Sequence, residues 1–186
     1  MRSRSVRALP RIALMGLAFA AGCVHRRPVV APLPACAPAP ASTAGWETRN
    51  GVLFTFRVPP GLRYARVTGI DSGIDTYTGR AVRISHEEGP YAGPAPGGSS
   101  DARNYSECTT TIGGAEAHVA SWNTPRGGLV LHAAWRRIAP AGPMGDTNLA
   151  ISIRTRASDP HSQAVAHAIL HSVRFRSPPP WAPGWR

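Results

Sequence analysis

Three cysteines, seven histidines and one serine in a tight turn carry most of the chemistry this sequence could perform. Ser72, within Asp71-Ser72-Gly73, would be a nucleophile only with a base in hydrogen-bond reach, and the same tripeptide is a turn signal. Its flanks also miss the Gly-x-Ser-x-Gly elbow, so the turn reading is preferred. His86-Glu87-Glu88 offers acid and base groups, yet a charged strand end accounts for it as well. His167 and His171 stand four apart, a helical spacing that can hold a metal. No carboxylate or cysteine lies nearby in sequence to complete a set, so both are expected to face solvent. There is no phosphate loop, no Cys-x-x-Cys and no haem-attachment motif, and no metal or cofactor is expected.

Cys23 has the most specific setting. Arg2, Arg4, Arg7 and Arg11 precede ten apolar or small residues, Ile12 to Ala21. A basic start and an apolar core of that length match a secretory signal, whereas a membrane span needs about 20 apolar residues. Ala20-Ala21-Gly22-Cys23 resembles the lipobox of bacterial lipoproteins. That resemblance implies cleavage before Cys23, thioether lipidation of its sulfur and an anchor of two or three acyl chains, palmitate among them. Two or more chains hold stably where one holds marginally. Val24, in place of an aspartate, implies the outer membrane, periplasmic side.

Cleavage would leave 164 residues, enough for one domain with a real core. All 21 basic residues are arginine. The formal +11 falls to +7 without the four signal arginines, and to about +4 once Arg26, Arg27 and Arg186 are set aside. A mildly basic, exported domain argues against nucleic acid as partner. Cys36 and Cys108 remain in an oxidising compartment. They either pair, closing a loop worth roughly 4 kcal/mol at most, or stay as a free linker thiol and a buried small hydrophobe.

The elements that must position these groups follow in order. Residues 1–22 form the signal and 23–45 a lipidated cysteine with a Pro/Ala-rich tether. In polyproline II form, at about 3.1 Å per residue, that tether would reach roughly 60 Å. The domain is expected over 46–177, and 178–186 form a Pro/Trp tail with Trp181 and Trp185. Val52, Phe54, Phe56 and Val58 alternate with polar residues, as a half-buried strand does. Arg63 to Ile70 and Arg80 to His86 read as further strands, separated by the turn at Asp71-Ser72-Gly73, and 89–100 as a long loop. Gly113-Gly114 marks a hairpin. Leu129–Ile138 and Thr147–Arg156 make the clearest antiparallel pair. One helix follows, capped by Ser158 or Asp159 with Pro160 in its first turn; Val165, Ala168, Ile169 and Val173 form its apolar face.

Phe56-Arg-Val-Pro-Pro-Gly61, Gly69-Ile-Asp-Ser72, Ile112-Gly-Gly-Ala115 and the stretch from Ala166 to Phe175 resemble the PsbP-like group, which includes DcrB-like bacterial lipoproteins. The resemblance covers about 46–176. It implies an α+β sandwich, an antiparallel sheet with a C-terminal helix packed on one face, and a binding or assembly role without catalytic residues. The departure is the missing N-terminal helix, which leaves the second sheet face without an evident cover. Arg57, His132, Arg136, Arg154 and Arg156 are expected on that face, as an open basic surface for anionic lipid or acidic glycan, or as solvated arginines paired with Glu107 or Glu116. The favoured function is a membrane-anchored envelope lipoprotein that binds or scaffolds an envelope protein, lipid or glycan. The alternative is a small periplasmic hydrolase whose site gathers distant residues such as Ser72, His86 and Glu87.

Overall fold

The computed structural model describes residues 33–39, 42–68, 72–93, 102–142 and 145–176. The signal, Cys23, most of the tether, the turn residue Asp71, the loop from 94 to 101 and the tail with Trp181 and Trp185 lie outside them.

Among the described residues, ten strands and one helix form a two-layer α+β sandwich. The larger layer is a seven-stranded antiparallel sheet in the order β3(Arg63–Thr68), β4(Gly73–Thr78), β5(Val82–Gly89), β9(Gly145–Thr155), β8(Leu129–Gly142), β7(Ala115–Asn123), β6(Arg103–Ile112). Facing it are α1(Pro160–His171) and a small sheet of β1(Glu47–Asn50), β2(Phe54–Val58) and β10(Arg174–Phe175). Strand alternation sends Leu129, Leu131, Ala133 and Trp135 of β8, and Leu149, Ile151 and Ile153 of β9, to one buried face. There they join Phe54, Phe56, Ile169 and Leu170 in a single core.

Local signals account for the firmest elements. Gly113 and Gly114 take φ of 66° and 87°, which fits the two-residue β6–β7 turn. A Cβ on Gly113 would also approach the Val173 carbonyl to 2.9 Å, so the turn tucks under the exit of α1. Asp159 caps α1, its side chain accepting the Ser162 N–H at 3.0 Å, with Pro160 following in the first turn. At the other end Ser172 Oγ accepts the Arg57 N–H at 2.8 Å and donates to the Ile169 carbonyl at 2.6 Å, tying helix to β2.

Four expectations are corrected. The chain runs as strand β4 from Gly73, directly after the expected turn, and pairs with both β3 and β5. Its core-facing side chains are Asp75 and Tyr77, so no apolar alternation marked it. Val52 is 69% exposed, because β2 begins only at Phe54. The proline-rich stretch is not free tether throughout: Ala35 is buried in the core, and the Leu33 N–H donates to Gln163 Oε1 at 2.7 Å. Ser121 Oγ donates to the Leu33 carbonyl at 3.3 Å. A disulfide from Cys36 to Cys108 on β6 fastens this segment. Finally, with residues 33–39 against its far side, α1 is buried all round from Ala166 to Leu170. His167 is 0% exposed rather than solvent-facing, and only His171 is partly accessible.

Candidate functional site

The seven-stranded sheet has an inner face, packed on the core, and an outer one. On the outer face the pairing Thr76↔Ser85, Ser85↔Ser152 and Ser152↔His132 sets three hydroxyls and an imidazole in one row across four strands. The next row carries Ile74, Glu87, Ala150 and Ala134. Small side chains at Ser85, Ala150 and Ser152 leave a hollow, and residues 90–93 lie over its edge. The result is a cavity of about 400 Å³, within the range of small-ligand sites.

The strap is pinned at both ends. Asn148 Nδ2 donates to the Pro90 carbonyl at 3.0 Å, while Asn148 Oδ1 accepts the Arg137 N–H at 3.0 Å. Arg137 sits at φ 55° where the β8–β9 register breaks between Trp135 and Ala139, so a bulge aims the asparagine. At the other end His132 Nε2 is 3.1 Å from the Gly93 carbonyl, and His132 Nδ1 is 2.7 Å from Ser152 Oγ. A carbonyl only accepts, so Nε2 carries the proton, and Nδ1 accepts from the Ser152 hydroxyl. Burial pushes His132 below its usual pKa, with a smaller opposing effect from the Gly93 carbonyl. Glu87 accepts the Ser72 hydroxyl at 2.8 Å, and Tyr91 lines the cavity while 72% exposed.

A second polar cluster lies on the inner face at the β4–β5 end. His86, 2% exposed, stacks on Tyr77 and meets Phe54 and Phe56 edge-on. Asp75 and Glu88 stand 3.6 and 3.8 Å from its two nitrogens, yet neither nitrogen has a hydrogen-bond partner. Burial outweighs the pull of Asp75 and takes the His86 pKa down to about 4. Burial pushes the Glu88 pKa up, against the Val52 and Leu53 N–H groups that its carboxylate accepts at 2.9 and 3.3 Å. Tyr64 donates to Asp75 at 2.8 Å.

The expected site residues are dispersed. Ser72, His86 and Glu87 do not converge: Ser72 bonds Glu87 on the outer side, and His86 turns into the core. The expected basic face divides. Arg57 projects from β2, whose Phe54 and Phe56 point at the large sheet, so it lies on the opposite side of the sandwich and donates to the Thr43 carbonyl at 3.1 Å. His132 is buried and held neutral, not part of a charged surface. Arg136, Arg154 and Arg156 are exposed, and the register puts Arg83 beside Arg154. Among the described residues Glu107 meets Tyr105 and His118, not these arginines. Sequence reasoning missed the Ser152–His132 pair, although one alternating strand pair carried both residues on its polar face. No three His, Cys, Asp or Glu among the described residues gather as a metal site.

Fold and site together define an α+β sandwich with a strapped polar cavity on its outer face. No protein-family model and no curated protein sequence matches this chain.

Proposed function

We propose that this chain is a lipid-anchored envelope protein whose sandwich domain works as a non-catalytic binding module, on the periplasmic side of an outer membrane. The supporting observation is how the three cysteines divide. Cys36 and Cys108 are bonded to each other, as suits an oxidising compartment, which leaves Cys23 alone in its lipobox. With residues 33–39 docked, the ten residue steps from Cys23 to Leu33 could reach no further than roughly 30 Å at about 3.1 Å each. The domain then works close to the bilayer. Arg154 and Arg156, with Arg83 beside Arg154, offer a basic patch for anionic headgroups or acidic glycan, with contributions of about 1 kcal/mol per arginine at the surface, while Arg136 stands at the other end of β8. The antiparallel sheet with a packed helix supports PsbP-like membership as part of this proposal.

A second reading, the small hydrolase, has one observation in its favour: Ser152 donates to an oriented His132. Acyl transfer also needs donors aimed at a developing oxyanion. Ser152 sits mid-strand, paired with β5 on one side and β8 on the other, so its backbone is spent in the ladders. Binding is the better-supported function.

Cell fractionation and intact mass test the anchor. The native chain should sediment with membranes and begin at an acylated Cys23, and Cys23→Ser should give an unprocessed or soluble form. An unlipidated mature N-terminus elsewhere would overturn the reading.

A further inference from the structure

The cavity under the 90–93 strap has a composition that selects its ligand. Its floor presents the Ser85 and Ser152 hydroxyl oxygens and the Glu87 carboxylate. His132 spends both ring nitrogens on Gly93 and Ser152, so it offers the cavity no free donor. The Ser152 proton is likewise committed to His132, leaving that oxygen as an acceptor. One Glu87 oxygen takes the Ser72 hydroxyl, and the carboxylate keeps acceptor capacity. The site is therefore richer in acceptors than in donors, with the Ser85 hydroxyl left as a donor, and it carries one negative charge. At its rim stands Tyr91, an exposed aromatic ring.

We propose that this cavity is a saccharide-binding subsite for a neutral or amino sugar, a proposal that rests on the binding-module reading and names its ligand. A sugar supplies several O–H donors at the spacing of a small ring, and an amino sugar adds an ammonium for Glu87. The C–H face of the ring lies against the electron-rich face of Tyr91, as weakly positive hydrogens do on aromatic faces. Uronates and other anionic sugars are disfavoured, because their carboxylate would meet Glu87 and a set of oxygens with few protons to give. A volume of about 400 Å³ sits at the small end of ligand sites, which limits occupancy to one or two rings. The strap is held in place before any ligand arrives, by Asn148 at Pro90 and by His132 at Gly93, so little ordering cost remains on binding.

The test is calorimetric titration of the full lipidated chain, in a detergent without a sugar headgroup, using glucosamine, cellobiose and glucuronate as probes. Glucosamine should bind tightest, cellobiose next, and glucuronate at least tenfold more weakly than glucosamine. Tyr91→Ala, at an exposed position that leaves the core untouched, should weaken both binding sugars about tenfold. Glu87→Gln should abolish the preference for glucosamine while leaving cellobiose bound. No saturable heat from either sugar would overturn the proposal. So would binding indifferent to both substitutions, or a preference for glucuronate, which would move recognition to the arginines. Covalent labelling of Ser152 by a fluorophosphonate would replace it with the hydrolase. Acylation of Cys23 is read on the same preparations, so loss of sugar binding and loss of the anchor are separate results.

Discussion

His132 and His86 stand on opposite faces of one sheet, each nearly sealed from water, each pushed below its ordinary pKa by burial. Their surroundings differ in kind. On the outer face both nitrogens of His132 find partners, Ser152 and Gly93, and the ring acts as a peg holding a strap. On the inner face His86 has aromatic neighbours and two carboxylates just beyond hydrogen-bond distance, and neither nitrogen is paired. His167, beneath the docked N-terminal segment, shares the second condition. Its nitrogens have no hydrogen-bond partner, and burial with the neighbouring His171 takes its pKa down to about 4, against a weaker pull from the Ala37 carbonyl. The difference shows how the sheet divides its work. The outer face uses polar groups in satisfied pairs that shape a cavity, while the inner face tolerates neutral rings as core filler.

Acid should break the inner arrangement first. For His86 and His167 the folded pKa of about 4 lies below the unfolded value of 6.5. Between those pH values the unfolded chain binds more protons, so stability is full above pH 6.5 and falls as pH drops towards 4. The loss is up to about 3 kcal/mol per ring at 1.36 kcal/mol per pKa unit. Denaturant melts across this window should show the slope, and His86→Phe with His167→Phe should flatten it; a slope unchanged in the double variant would contradict the assignment.

Smaller, and specific to packing, is the contrast between two tryptophans. Trp135 is fully buried on the inner face, and Trp135→Ala should cost about 3–5 kcal/mol. Trp122, half-buried on the outer face beside Tyr105 at a 6.2 Å ring separation, should cost distinctly less when truncated. Equal losses in chemical denaturation would erase the distinction between the faces.

The smallest effect belongs to the strap. Asn148→Ala removes one hydrogen bond to Pro90 and one to the Arg137 N–H, about 1 kcal/mol each by typical values. Hydrogen exchange should rise at 90–93 and around Arg137 while the inner strands keep their protection. Global loss of protection would show that the strap is part of the core rather than an attachment to its outer face.

Much of this division was legible in the chain itself. Alternation along 129–138 and 147–156 assigned Leu131, Trp135 and Ile151 to one face and His132, Ser152 and Arg154 to the other, because strand side chains alternate with period two. The Gly113-Gly114 turn, and the Asp159 cap with Pro160 behind it, were likewise local, since φ > 0 and an orphan N–H are requirements of single residues. Tertiary structure decided what covers each face. His167 reads as solvent-facing from helical period alone, and becomes core only because residues 33–39, some 130 positions earlier, dock on α1. Ser152 and His132 become a pair, and a cavity wall, only when β8 and β9 register and the strap reaches Gly93, 39 residues from His132. Periodicity names the residues that share a face. Which distant segment closes over that face depends on contacts whose partners are far apart in sequence, and no local pattern records them.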